Sequence, residues 1–220
     1  MLIGLTIILF ILSLSLLLFG IIKKGKIKHK FLEVVLDEKI IEFIVNICIT
    51  TIGVTLAIFL TNYDAQQQEV EKEISLLNSL DRELKMIEDN IEVFYIPLHE
   101  KFKEQKEEEK FLQLYMEMPI TPLYTLEPIL ENEIVVTNAN YNSYAALIDS
   151  QRSICISYNR LENIKEVNDL VNELSTLSDY CSFMRGIIQI EIAFQSGEID
   201  ESEMKDTINQ YYEEELIEEQ

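Results

Sequence analysis

Between Gly53 and Pro97 the chain contains neither glycine nor proline, and this uninterrupted run begins in an apolar segment and ends in a charged one. The stretch IIEFIVNICITTIGVTLAIFL, from Ile40 to Leu60, is followed after Thr61 by NYDAQQQEVEKEISLLNSLDRELKMIEDNIEVFY. One continuous helix from Ile40 to about Tyr95 is the economical reading, because no residue after Gly53 interrupts its hydrogen-bond ladder. At 1.5 Å per residue, about 55 residues reach about 80 Å, enough to cross a hydrocarbon core of about 30 Å and continue well beyond it. The expected fold is therefore all-α, with a membrane-embedded part and a soluble helical bundle.

Residues 1–22 carry no charged side chain and are also long enough to span a bilayer. Their basic residues follow the apolar run instead of preceding it, which reads as an uncleaved helix and not as a signal peptide. Thr6, Ser13 and Gly20 recur every seven residues and offer a small-residue face to a neighbouring helix. Spans at about 2–22 and 40–61 then form a hairpin around a loop, 23–39, that holds Lys23, Lys24, Lys26, Lys28 and Lys30. Short lysine-rich loops stay on the cytoplasmic side, so both termini and the soluble domain are expected outside. Phe31 to Lys39 reads as a short amphipathic helix on the inner surface.

The second span carries polar and small residues in a pattern. Glu42, Asn46, Thr50, Gly53, Ala57 and Thr61 follow steps of three or four and share one helical face. Lipid disfavours such a face. Gly53 and Ala57 allow close backbone approach, Asn46 and Thr50 supply hydrogen-bonding groups, and Glu42 sits where its charge reaches the interface. Three uses remain open: packing on the first span, self-association in a homo-oligomer, and the wall of a narrow pore.

The formal charge of −21 is unevenly placed. Residues 1–60 hold six lysines against four acids, which leaves twelve basic and thirty-five acidic side chains, or −23, for residues 61–220. That field repels phosphate backbones, so nucleic acid is excluded as a partner, whereas a protein partner could meet the acidic domain. Within this domain, 62–220, Val70, Leu77, Leu84 and Ile91 repeat at sevens, with Leu80, Ile87 and Phe94 at the same interval. This is a bundle helix, and Asp81 beside the seam favours an intramolecular bundle over a regular coiled coil. Pro97 is expected to end or kink it. The charged stretch to Met118 has Phe102, Phe111, Leu112 and Tyr115 as apolar contacts, and a proline-rich loop near 118–128 is the clearest internal boundary. Thr121-Pro122 reads as the start of a short helix toward Val136. A helical pattern resumes after TNAN, with Ser175 to Asp179 as a plausible turn, and Asp200-x-x-Glu203 opens a last helix ending in an acidic, exposed tail.

The residues carry no recognisable catalytic signature: no phosphate-binding glycine loop, no nucleophile elbow and no paired-cysteine or histidine metal motif. The reading is of a non-enzyme with no cofactor and no metal. Cys155 and Cys181 read as two buried free thiols, with a disulfide between them as the alternative in an oxidising compartment, and His99 reads as a solvated histidine. Tyr141, Tyr144, Tyr158 and Tyr180 lie at helical spacing, which reads as core. Arg152 and Arg160, with Tyr158, are the remaining candidates for ligand binding through an anion, against a simpler reading as salt bridges.

The run from Gly53 to Tyr63, with Gly53, Leu56, Ala57, Asn62 and Tyr63, resembles a widespread set of bacterial membrane proteins in which an apolar helix ends in an Asn-aromatic pair and continues as a charged helix. That resemblance implies a membrane-tethered helical domain; the additional first span departs from its simplest form. The two-span layout is also similar to that of small membrane effectors of bacterial phage defence. The expectation is thus an oligomeric, channel-like effector in the bacterial inner membrane, partnered by the lipid bilayer and by further copies of itself. The alternative is a membrane-anchored sensor or scaffold that binds a protein or small ligand.

Overall fold

A computed structural model describes residues 38–218, and these are helical throughout apart from turns and loops. The first expected span and all of the lysine loop before Glu38 lie outside the described residues. The chain divides into two compact units, 1–67 and 68–220. Helix α1, Glu38–Asp89, supplies the described part of the first and the opening of the second. Its apolar stretch has mean hydropathy 1.7, is unburied, and is long and apolar enough to cross a membrane.

In the second unit α1 is a core helix. Leu77, Leu80, Leu84, Ile87 and Ile91 are buried, as their heptad spacing requires. A π-helical turn, Asn90–Tyr95, follows, and then α2, Ile96–Glu104. Pro97 therefore does not end the helix. It lies in the first turn of α2, and the wider turn before it bonds the Ile96 N–H to the Ile91 carbonyl, so the ladder shifts where proline brings no donor. The same turn moves the buried seam by one residue. Phe94, expected inside, is exposed; Tyr95 and then His99 are buried in four-residue steps after Ile91. His99 is not a solvated histidine but packs on Phe111, with ring centroids 5.2 Å apart.

The charged stretch that follows is two helices, α2 and α3, Glu108–Glu117. Lys106 sits between them at φ 59. The Glu107 N–H reaches the Phe102 carbonyl at 2.9 Å and the Lys106 N–H reaches that of Lys103 at 3.0 Å, a Schellman closure. Phe111 and Tyr115 turn inward. The proline-rich segment is a loop until Leu126, where α4, Leu126–Leu130, begins; α5, Glu133–Asn138, is capped by Asn132. The helix expected from Thr121 thus starts later, because Pro119 and Pro122 bias the residues before them toward extended backbone.

Helix α6, Tyr141–Leu161, is capped by Asn140 as the TNAN motif indicates, and α7 spans Val167–Gln195. The turn expected at Ser175 to Asp179 does not occur. Leu170, Leu174, Leu177, Cys181, Met184 and Ile188 are all buried at alternating steps of four and three, and this stripe carries the helix through the serines. Gly197, at φ 76, closes α7 with the same pair of terminal bonds seen at Lys106. Asp200 caps α8, Glu201–Glu218, accepting from the N–H groups of Ser202 and Glu203 at 2.9 and 3.0 Å. Met204 and Ile208 bring α8 into the core. Gly186 leaves room for the Tyr211 ring, which a Cβ there would meet at 2.4 Å.

A non-glycine residue at positive φ is strained by about 1 kcal/mol or more. Lys106→Gly is therefore expected to stabilise the protein by about 0.5 kcal/mol after the added chain entropy of glycine, raising the thermal midpoint by a degree or two. A calorimetric comparison with the parent protein checks this, and an unchanged or lower midpoint contradicts it.

Candidate functional site

The six residues of the expected seam, Glu42, Asn46, Thr50, Gly53, Ala57 and Thr61, are all exposed on α1. A Cβ added at Gly53 would meet nothing within 4 Å. The Thr50 and Thr61 hydroxyls donate back to the carbonyls of Asn46 and Ala57 at 2.8 and 2.9 Å, which settles them within the helix. Phe43, Ile47, Val54, Ile58 and Phe59 are exposed around the rest of this stretch. A contiguous exposed apolar surface of this kind is unusual for a protein in water and ordinary for a helix in lipid, and hydroxyls bonded within their own helix suit either setting.

The candidate anion site does not assemble. Arg152 is exposed beside Asp149 at 3.6 Å, and Arg160 reaches Glu173 on α7 at 3.6 Å. The Tyr158 hydroxyl donates to the Thr121 carbonyl at 3.3 Å, tying α6 to the proline-rich loop. A cavity of about 240 Å³ lies there, walled by Tyr115, Ile120, Pro122, Tyr158 and Leu161, without either arginine. It is smaller than the pockets that enclose drug-sized ligands. Burial pushes the Tyr115 phenol up to about 12 and raises that of Tyr158 too, so both walls stay neutral. Tyr144 is half-buried and donates to the Leu130 carbonyl at 3.2 Å, whereas Tyr141 projects into solvent from the first turn of α6. Of the two thiols only Cys181 is buried, its pKa pushed up to about 12 chiefly by burial; Cys155 is exposed on the outer face of α6.

The polar groups that do converge lie between α1 and α7. Arg185 on α7 donates from Nε to Asp81 Oδ1 at 3.0 Å and from Nη1 to Glu88 Oε2, and all three side chains are mostly buried. Ser178 bonds Glu92 at 3.3 Å. Residue numbers rise on α1 as they fall on α7, so the two segments run antiparallel. At the far end of this seam, Glu73 on α1 and Glu191 on α7 are both fully buried. Glu191 Oε1 accepts from the Asn140 N–H at 3.0 Å and from Gln195 Nε2 at 2.7 Å, while its Oε2 and both Glu73 oxygens have no partner. Burial, and then the charge of Glu191, push the Glu73 carboxyl up to about 8.

Neither glutamate was singled out by its sequence context, although a signal was present. Glu73 is seven residues before Leu80 and fourteen before Ile87, and Glu191 continues the α7 stripe three residues after Ile188. A charged residue in an apolar register position is the mark of a buried ionisable group. Among the described residues, no group of three or more His, Cys, Asp and Glu side chains is arranged to hold a metal ion. No protein-family model matches the chain, and no curated protein or solved structure matches it either.

Removing the Arg185 guanidinium leaves Asp81 and Glu88 facing an apolar wall. Arg185→Met is expected to cost about 2–3 kcal/mol, discounted for partial solvent access. Adding Asp81→Asn and Glu88→Gln should recover part of that loss, as chemical unfolding of the single and triple variants will show.

Proposed function

We propose that this is a non-enzymatic integral membrane protein that works by association of its spanning helices, as an oligomeric, channel-like effector governed by its acidic helical domain. The spans form a two-helix hairpin in the bacterial inner membrane, with the helical domain on the outer side. The observation that carries this reading is the continuity of α1. Its apolar part presents Asn46, Thr50, Gly53 and Ala57 on an unburied face, and its later part supplies Leu77, Leu80, Leu84 and Ile87 to the core. A passive anchor needs no polar, small-residue face, and a helix rooted in a packed core can transmit a change in that core only as a rigid element.

Gly53→Leu fills the closest-approach position without altering hydrophobic length. It is expected to abolish assembly in native-membrane cross-linking and to remove ion conductance from reconstituted vesicles. Wild-type assembly and conductance in this variant would contradict the proposal. Exchange of both spans for an unrelated hairpin separates the effector from an anchored sensor or scaffold, since only the latter keeps its activity.

A further inference from the structure

The described part of the helical domain buries two glutamates at one end of an otherwise apolar seam. Glu73 occupies the register position of Leu80 and Ile87 on α1, and Glu191 that of Leu177 and Met184 on α7. Both are fully enclosed, and three of their four carboxyl oxygens have no hydrogen-bond partner. The fourth, Glu191 Oε1, is held by the Asn140 N–H and by Gln195 Nε2. Gln195 also donates to the Asn138 carbonyl at 2.8 Å, so Glu191 is fixed from the start of α6 and from its own helix. The asymmetry assigns the roles: Glu191 has the donors that stabilise a carboxylate, and Glu73 has none.

We propose that Glu73 and Glu191 form a proton-binding pair, in which Glu73 holds the proton and Glu191 the charge, and that loss of the proton loosens α1 from α7 at this end of the seam. Two enclosed carboxylates without a shared proton or cation repel each other in a medium that screens poorly, and a single proton removes that repulsion. The charged group that raises the Glu73 pKa is Glu191, and the neighbouring Asn138, Asn140 and Gln195 are uncharged. The next ionic groups along the seam, Asp81, Glu88 and Arg185, form their own closed set. The pair belongs to the helical domain alone and does not depend on what the spans do.

The sign follows from the direction of the shift. Glu73 is raised from 4.5 to about 8, so between those values the native chain keeps a proton that the unfolded chain has lost. The Glu73 contribution to stability is full below about pH 4.5, falls as pH rises through that window, and is lost above it.

The test uses the full chain in detergent micelles. Between about pH 6 and 9 the wild-type thermal midpoint is expected to fall by about 5 °C or more relative to that of Glu73→Gln, which lacks the titrating group. Infrared spectra should show a protonated-carboxyl band at neutral pH that disappears with a midpoint near 8 and is missing in Glu73→Gln. Glu191→Gln should move that midpoint to lower pH. If Glu73→Gln fails to fold, the wild-type band and its displacement in Glu191→Gln decide the matter. The proposal is overturned if no such band exists at neutral pH or if Glu73→Gln leaves it in place. It is overturned equally if a chelator lowers the midpoint at neutral pH and added Mg²⁺ or Ca²⁺ restores it, because the pair would then hold a metal ion.

Discussion

The helical domain is organised around α7, which packs most extensively on α6 and meets α1 and the π-turn in an antiparallel seam. Four aliphatic side chains of α1, from Leu77 to Ile87, with Ile91 of the π-turn and the stripe from Leu170 to Ile188 on α7, are buried together in one core. At about 1.5–3 kcal/mol for each fully buried aliphatic side chain, this face supplies much of the driving force for folding. Apolar contact alone sets register weakly, since a heptad stripe slides by seven residues at little cost. The Arg185 clamp on Asp81 and Glu88 and the Ser178–Glu92 bond are directional, and they fix which heptad faces which. Around α7 and α6 the other helices close, α8 through Met204 and Ile208 and α3 through Phe111 and Tyr115.

The seam also defines what is unusual about α1. In the helical domain its surface obeys the rule for a protein in water, apolar inside and charged outside. In the stretch before Thr61 the relation is reversed: apolar side chains are exposed around the helix, and the polar or small residues Asn46, Thr50, Gly53 and Ala57 line one exposed face. Hydrophobic burial cannot drive helix association within lipid, where tails are as apolar as leucine. Close packing and hydrogen bonding remain, and both favour the face with small residues. One helix therefore carries two faces of opposite chemistry, an apolar one buried in the helical domain and a polar, small-residue one left exposed in the apolar stretch.

Much of the described fold was legible in the sequence because it rests on period. The heptads of α1, the caps at Asn140 and Asp200, the stop at Gly197 and the proline-rich loop all follow from local chemistry. What the sequence concealed came from shifts of register and from context. The π-turn before Pro97 exchanged Phe94 for Tyr95 and drew His99 inward, and the pattern does not announce where a ladder will slip by one residue. The segment from Ser175 to Asp179 looked like a turn, yet the apolar stripe on the opposite face outweighed the modest helix propensity of its serines. Arg152 and Arg160 share a helix but no cavity, and each has an acidic neighbour within 4 Å, so spacing alone overstated them. Glu73 and Glu191 were readable only as departures from the apolar pattern, once the two helices were known to face each other.

The account turns on whether the polar face of the apolar stretch is where the helices meet. Single cysteines placed in turn from Phe43 to Thr61, in a background with Cys48→Ser, Cys155→Ser and Cys181→Ala and in native membranes, measure this by oxidative cross-linking of one copy to another. Cross-linking is expected to rise and fall with helical period and to peak at Asn46, Thr50, Gly53 and Ala57. A flat profile, or one that peaks at Phe43, Ile47, Val54 and Ile58, would contradict it.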